Sequence, residues 1–161
     1  MKQGKKGLNE KHRRFMRMAI AEARAALDAG DVPVGAVVVK DGMVVSKGHN
    51  QRELLKDPTA HAEMIAITAA AEGFRDWRLN GCELYVTLEP CPMCASAIQQ
   101  ARIARVIFGA YDPVMGACES VLKITSDKRL GGTVETVAPV MEAECAELLA
   151  EFFSSLRNKR E

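Results

Sequence analysis

The sequence predicts a layered α/β domain built on a mixed sheet of about five strands. The observations behind this prediction are a hairpin pattern near residue 41, an alternation of strand and helix patterns after residue 60, and a hydrophobic content of 48%. Strands that alternate with helices favour parallel pairing, whereas a hairpin pairs its own strands antiparallel. A chain of 161 residues has the usual size of one domain, and we expect a single domain over residues 1–161.

A helix followed by a hairpin is predicted for the first third of the chain. Apolar residues recur at helical spacing over residues 9–29, and Asn9 is the expected N-cap of this helix. The residues before it, about 1–8, are expected to form a basic arm. Apolar runs at 34–40 and 43–49 flank an Asp-Gly pair, which favours a tight turn between two antiparallel strands.

The remainder of the chain alternates between helical and extended patterns. A segment near residues 114–124 is predicted only as helix or loop. The other predicted elements are a helix at 61–73, a strand at 82–89, a helix at 92–102, a strand at 105–110, a weak strand at 133–138 and a closing amphipathic helix at about 141–158.

Composition narrows the possible functions. No apolar run approaches the roughly 20 residues of a membrane span, and the basic N-terminus lacks the apolar stretch of a signal peptide, so we expect a cytoplasmic protein with no membrane contact. The net charge of +1 argues against a protein that binds nucleic acid through its overall charge. The charge is unevenly distributed, however, since residues 1–17 hold seven Lys or Arg and one Glu. Such end-localised charge is typical of a solubilising terminus and can also steer a polyanion.

Three residues predict a metal centre. His61 stands at the start of one predicted helix, and Cys91 and Cys94 stand three apart at the start of another. Five cysteines in a chain of intracellular character favour reduced thiols or metal ligands over disulfides. Three protein ligands leave one position of a tetrahedral zinc ion open for water, whose pKa the metal lowers. Glu63, two residues after His61, is placed to accept and return protons.

Other interpretations of the cysteine pair remain at this point. A redox pair would explain Cys91 and Cys94 but would leave the His-Ala-Glu run unused. A structural zinc site needs a fourth protein ligand, and a non-enzymatic, zinc-stabilised RNA-binding module would not need Glu63. The candidates for a fourth ligand are Cys82, Cys118, His12 and His49.

The motifs "HAE" (61–63) and "PCPMC" (90–94) resemble the H-x-E…P-C-x-x-C signature of the zinc-dependent cytidine and nucleobase deaminase superfamily. Within that superfamily, the chain is similar to the bacterial tRNA-specific adenosine deaminases from about Phe15 to Arg157. The blocks that carry this similarity are "VPVGAVVV", "GHNQR", "DPTAHAEMIAI", "LYVTLEPCPMCASAI" and "RVIFGAYDPVMGA".

The resemblance implies a three-layer α-β-α fold of the cytidine deaminase type, a homodimer, one zinc ion per chain and conversion of adenosine to inosine at the wobble position of a tRNA anticodon loop. It implies zinc ligation by His61, Cys91 and Cys94, and proton transfer by Glu63. The residues implied to contact the substrate base are Asn50, Val34, Ala62, Pro90 and Asp112. The residues implied to contact RNA are Phe152, Phe153 and Arg157.

The chain departs from the tRNA deaminase pattern after residue 110. Val114 stands where the family often has lysine, and Glu119 stands where it commonly has glycine. An acidic residue in place of a basic one weakens contacts with phosphates. A deaminase of a free nucleobase, nucleoside or nucleotide, of guanine, adenosine or cytosine type, is therefore the alternative substrate class.

Overall fold

The computed structural model describes residues 2–160, with side chains from residue 6 onward, as a five-stranded mixed sheet between two layers of helices. No helix in this part of the chain is both long and apolar enough to cross a bilayer. The strands are β1 (Gly35–Lys40), β2 (Met43–His49), β3 (Cys82–Leu88), β4 (Arg105–Ala110) and β5 (Glu135–Val137). The helices are α1 (Lys2–Asp28), α2 (Arg52–Leu55), α3 (Ala62–Phe74), α4 (Pro92–Gln100) and α5 (Glu142–Asn158).

The strand order in the sheet is β2-β1-β3-β4-β5. Strand β1 pairs antiparallel with both β2 and β3, whereas β3 with β4 and β4 with β5 are parallel. The predicted mixed sheet, with its parallel pairs in the second half, is thereby confirmed. Because β2, β3 and β4 run in the same direction, their carboxyl ends lie at one edge of the sheet, where sheets of this kind place their sites.

Each face of the sheet packs against its own helices. Neighbouring residues on β3 show the alternation, since Leu84 belongs to one hydrophobic cluster and Tyr85 to the other. The cluster around Leu84 includes Ala66 of α3 and Ile98 of α4, and the cluster around Tyr85 includes Phe15 of α1. Cys145 of α5 joins the second cluster. This is the predicted three-layer α-β-α arrangement.

Backbone geometry at two places explains the turn between β1 and β2 and the position of α3 against β2. Asp41 and Gly42 both have positive φ, 50° and 75°, as the predicted Asp-Gly hairpin turn requires. A β-carbon at Gly48 would lie 2.7 Å from the carbonyl oxygen of Ala62 and 2.9 Å from the nitrogen of Ala66. Helix α3 therefore lies against the backbone of β2, which sets the position of its first turn.

The sequence prediction was wrong at some boundaries. Helix α1 begins at Lys2 and not at Asn9, so residues 2–8 of the predicted basic arm are helical, while Met1 lies outside the described residues. An asparagine inside an exposed helix costs only a fraction of a kcal/mol, about 0.7 or less, so it does not end a helix that later residues anchor. Helix α2 was not predicted, because four residues are too short to show a periodicity.

Candidate metal centre

The first turns of α3 and α4 meet at the carboxyl edge of the sheet. His61 is the N-cap of α3, Cys91 is the N-cap of α4, and Cys94 lies in the first turn of α4. The His61 Nδ1 atom lies 3.6 Å from the Sγ of Cys91 and 3.6 Å from the Sγ of Cys94. All three ligand atoms fall within 4.8 Å of one another. The structure thus brings the three predicted ligands together.

The spacing of these atoms fits zinc. A tetrahedral ion with Zn–N of about 2.0–2.1 Å and Zn–S of about 2.3 Å holds its nitrogen and sulfur ligands roughly 3.6 Å apart. One imidazole and two thiolates are also ligands that zinc prefers. Among the side chains described from residue 6 to residue 160, no fourth His, Cys, Asp or Glu joins this group. A site with three protein ligands keeps one position for water or substrate, as catalytic zinc sites do.

The candidates for a fourth ligand are engaged elsewhere. The ring of His12 is hydrogen-bonded to the Tyr85 hydroxyl, 2.9 Å away, and that of His49 to Glu22, 3.0 Å away. Cys82 and Cys118 are buried in the core, where burial raises the pKa of both thiols, that of Cys118 to about 12. The structural-zinc interpretation therefore lacks the ligand that it needs.

The protonation states of the three ligands are linked to one another. Hydrogen bonding from Cys94, assisted by His61, lowers the pKa of the Cys91 thiol to about 4 despite its partial burial. The same interaction with Cys91, together with burial, raises the pKa of Cys94, because the two sulfurs share one negative charge. The Cys91 thiolate in turn raises the pKa of His61. Both helices also direct their amino ends toward the sulfurs, which favours thiolates.

Glu63 lies in the first turn of α3, two residues after His61, and is almost entirely buried. Burial raises the pKa of its carboxyl group to about 7. A carboxyl group with this pKa exchanges protons readily at neutral pH, which is the requirement for a general acid and base.

A cavity of about 570 Å³ opens over these residues. His61, Cys91 and Glu63 lie in its wall, and so do three of the predicted base-contacting residues: Val34, Asn50 and Asp112. The Asn50 side-chain oxygen accepts a hydrogen bond of 2.8 Å from the backbone N–H of Ala62. This bond fixes the amide of Asn50 and leaves its NH₂ group for a ligand.

Two predicted substrate residues lie behind the cavity wall. Ala62 is fully buried and contributes its N–H to Asn50. Pro90 is buried as well, and its carbonyl oxygen accepts a hydrogen bond from the N–H of Ala117. Both residues support the wall and do not form it, so a direct contact of either with the substrate remains a prediction.

The predicted RNA contacts on α5 differ in exposure. Phe152 is only 8% exposed and packs edge-on against Phe153, which is 48% exposed. Phe152 lines a smaller cavity of about 390 Å³, which shares Val32 and Arg52 with the larger one. Arg157 is exposed on the same helix. Helix α5 therefore stands beside the mouth of the site.

Several wall residues were not singled out from the sequence. Most of them, such as Val32 and Met93, are apolar and carry no signal that separates them from core residues. Glu89 does carry a sequence signal, because a carboxylate at the end of an apolar strand and directly before Pro-Cys is uncommon and indicates a specific role. The unpredicted residues of the wall are Val32, Arg52, Leu88, Glu89, Pro92, Met93 and Met115.

Comparison with known proteins agrees with this geometry. The family model for the cytidine and deoxycytidylate deaminase zinc-binding region matches residues 9–110. The chain is 49% identical over 144 residues to the tRNA-specific adenosine deaminase of Aquifex aeolicus (strain VF5), covering 89% of this chain and 95% of the relative. It is 43% identical over 146 residues to the tRNA-specific adenosine deaminase of Bacillus subtilis (strain 168), covering 91% of each.

A solved structure gives the same result in three dimensions. It comes from a study of A-to-I editing by tRNA:A34 deaminases at the wobble position of transfer RNA. It superposes with a TM-score of 0.82 at 45% identity, and the match covers 84% of this chain and 99% of that one.

Proposed function

This chain belongs to the family of the cytidine and deoxycytidylate deaminase zinc-binding region, and from that premise we propose that it is a zinc-dependent hydrolytic deaminase converting adenosine to inosine at the tRNA wobble position. The observation that carries the proposal is the group of His61, Cys91 and Cys94 beside the buried carboxyl group of Glu63 at one cavity wall. The wobble adenosine is the substrate because the relatives that match nearly the whole chain are tRNA-specific adenosine deaminases.

The reaction adds water to the adenine ring and releases ammonia. Zinc, at one ion per chain, would be held by His61, Cys91 and Cys94 and supplies a nucleophilic oxygen at neutral pH. Glu63 takes up the proton that the attacking water releases and delivers it to the ring nitrogen next to the reacting carbon. It then takes the second proton of that water from the newly formed hydroxyl group and passes it to the amino group, which leaves as ammonia while the ring carbon becomes a carbonyl. Burial raises the pKa of the Glu63 carboxyl group above its ordinary value and toward neutral pH, which suits a group that both takes up and releases a proton.

Asn50 and Val34 orient the base. The Asn50 oxygen is occupied by the Ala62 N–H, so its NH₂ group is the part that can donate to a ring nitrogen of adenine. Val34 offers an apolar surface in the same wall. A base held between these side chains presents its amino-bearing carbon toward the metal ligands.

The surroundings of the cavity suit a nucleotide that is part of an RNA strand. A wobble nucleotide must be turned out of its loop to enter such a pocket, and its neighbours then need surfaces on which to lie. The smaller cavity beside Phe152 adjoins the base cavity through Val32 and Arg52. We include contacts of Phe152, Phe153 and Arg157 with the anticodon loop in the proposal, and the cytoplasm, where tRNA is processed, as the location.

We also propose that two copies form a homodimer through the outer faces of α3 and α4. Helix α3 is apolar on both sides: Ala66 and Ala70 face the sheet, while Met64 and Ile67 line an open groove shared with α4. Trp77, at the end of this groove, is 54% exposed. A two-fold axis along the groove would cover the same apolar face on both chains.

Light scattering after size exclusion tests the dimer. We expect a mass of twice 17.6 kDa for the wild type and a monomer for Trp77→Glu. Leu130→Glu is the matched control, because Leu130 is exposed to the same degree as Trp77 but lies outside the groove. A monomeric wild type at micromolar concentration would contradict the proposed assembly.

Substrate assays test the reaction. The zinc-loaded protein is incubated with a tRNA that has adenosine at the wobble position and, separately, with guanine, adenosine and cytosine, while inosine and ammonia are measured. We expect inosine only at the wobble position and no ammonia from the free compounds. Rapid turnover of a free base, with no inosine in tRNA, would replace the proposal with the small-molecule alternative that Val114 and Glu119 suggest.

A further inference from the structure

Glu89 is a buried carboxylate that lies, along the chain, between strand β3 and the predicted metal ligand Cys91. Glu89 follows β3 directly, precedes Pro90 and Cys91, and is 2% exposed. A buried carboxylate is costly unless hydrogen bonds satisfy its oxygens. Among the described residues no Lys, Arg or His forms an ion pair with Glu89, so its partners must be sought elsewhere.

The partners are backbone N–H groups of the segment that follows β4. Glu89 Oε2 accepts from the N–H of Asp112 at 3.1 Å, and Oε1 accepts from Glu119 at 2.7 Å and from Ser120 at 2.9 Å. These donors lie 23 to 31 residues away along the chain. Both oxygens are therefore used to hold one loop, residues 111–120, which we call the wall loop.

Gly116 shows how closely the wall loop is folded around this carboxylate. A β-carbon at Gly116 would overlap Oε2 of Glu89 and the carbonyl oxygen of Asp112. The same carbonyl oxygen accepts the N–H of Gly116, and the carboxylate of Asp112 accepts the N–H groups of Val114 and Met115. Only glycine fits here without moving either the loop or the carboxylate.

The wall loop forms one side of the substrate cavity. Asp112 and Met115 line the cavity, and both lie within the segment that Glu89 holds. The other walls come from α3, α4 and the segments beside β1 and β2, which are held by the sheet. The wall loop has no strand or helix of its own, so its position depends on the burial of Ala117 and Cys118 in the core, on the Ala117 N–H to Pro90 bond, and on the bonds to Glu89.

We propose that Glu89 is a positioning residue for substrate specificity, which holds the wall loop so that Asp112 and Met115 shape the cavity around the base. It acts through the loop and not on the reacting atoms. The expected change in KM rests on the proposed function, whereas the expected change in the hydrogen exchange of the wall loop does not. It deepens that function by assigning substrate selection to a contact between two segments that are distant in sequence.

Three variants test the inference. Glu89→Gln keeps the size of the side chain but turns one acceptor into a donor that faces backbone N–H groups. Gly116→Ala disturbs the same contact from the side of the loop and leaves Glu89 intact. Gly132→Ala is the matched control, because a β-carbon there meets nothing within 4 Å.

Hydrogen exchange of the amides in residues 111–120 gives a readout without substrate. We expect exchange to rise about ten- to hundredfold in Glu89→Gln and Gly116→Ala, and to stay at the wild-type rate in Gly132→Ala. Zinc content is expected to stay at the wild-type value in all three. Unchanged exchange in both Glu89→Gln and Gly116→Ala would overturn the inference, as would zinc loss in Glu89→Gln.

Steady-state kinetics with the adenosine-wobble tRNA give the second readout. We expect KM to rise about tenfold in Glu89→Gln and Gly116→Ala, with kcat changed by less than about threefold, and a double variant to show less than the sum of the two effects. A fall in kcat alone would assign Glu89 to the chemistry instead. If the wild type itself deaminates no tRNA, the proposed function fails, while the exchange result still decides the role of Glu89.

Discussion

The side-chain oxygen of Asn50 accepts a hydrogen bond from the backbone N–H of Ala62, the residue between His61 and Glu63. Asn50 follows β2 directly and α3 begins at Ala62, so this bond ties the end of a strand to the first turn of the helix that carries a metal ligand and the proton-transfer residue. It also decides which end of the amide a substrate meets. The proposed base-contacting group is thus oriented by the same turn that holds the proposed catalytic one.

Replacing Asn50 by Asp should therefore separate the structural role of this side chain, its bond to Ala62, from its proposed role in recognising the base. Asp still accepts the Ala62 N–H but offers the substrate a second acceptor in place of a donor. We expect kcat/KM for tRNA to fall about ten- to hundredfold, since an unpaired buried polar group costs about 1–3 kcal/mol. The thermal unfolding temperature should fall only modestly, because one oxygen of Asp keeps the Ala62 hydrogen bond and the other faces the cavity. A large loss of stability would assign Asn50 to the fold and not to the base.

Replacing Glu63 by Gln removes the proton-transfer group and leaves the ligands in place. We expect wobble inosine formation to fall by about 10²–10⁴-fold, the usual contribution of general acid–base catalysis. Zinc measured by elemental analysis should remain at one ion per chain. Activity near that of the wild type would remove Glu63 from the mechanism.

Removal of the metal should destabilise the chain. The ligands come together only in the folded state, so zinc binding adds its free energy to folding. At a hundredfold excess over its dissociation constant it adds about 2.7 kcal/mol, which corresponds to a fall of roughly 5–11 °C in Tm on chelation.

Two cysteine variants make this prediction specific. Cys91→Ser should show a lowered Tm that no longer responds to chelator. Cys145→Ala, at a buried cysteine packed between α5 and the sheet, should lose packing energy yet keep the response to chelator. An equal response to chelator in Cys91→Ser and the wild type would contradict the ligand assignment.

The buried His12 should make stability depend on pH. Burial lowers the pKa of His12 below its usual 6.5, although the nearby Glu83 acts in the opposite direction. Between the lowered value and 6.5 the unfolded chain binds more protons, so the free energy of unfolding decreases as pH falls from 7 through the folded-state pKa. In His12→Gln, which can still bond to Tyr85, this part of the pH dependence should be absent.

Denaturant unfolding of the two proteins between pH 7.5 and pH 5 measures the difference. Zinc dissociation affects both proteins equally and cancels in the comparison. A proton NMR titration of the His12 ring checks the direction directly, and a pKa at or above 6.5 in the folded protein would contradict the prediction.

The fold was largely predictable because its signals are local. The Asp-Gly pair specifies its turn through positive φ at both residues, and the alternation of apolar strands with helices favours the parallel pairs. The start of α1 was not predictable from Asn9, because a good capping residue is also tolerated inside a helix.

The site was predictable in its chemistry and less so in its walls. The spacings of His61, Cys91, Cys94 and Glu63 predict a metal centre, and the structure brings the three ligand atoms within 4.8 Å of one another. The wall loop was left undecided between helix and loop, since its conformation depends on Glu89, a residue far away in sequence. Long-range bonds to backbone groups leave no pattern in the amino-acid sequence.

The separation of the wall loop from the metal ligands bears on how this fold could change its substrate. The ligands stand at the starts of α3 and α4, whereas the wall loop follows β4, is bonded to Glu89 and to the Pro90 carbonyl oxygen, and packs into the core through Cys118. Substitutions in the wall loop can therefore alter which base is accepted without rebuilding the metal centre. An architecture divided in this way is modular. Substrate specificity can change, in evolution or by design, through substitutions in one short segment, while the residues of the metal centre stay the same.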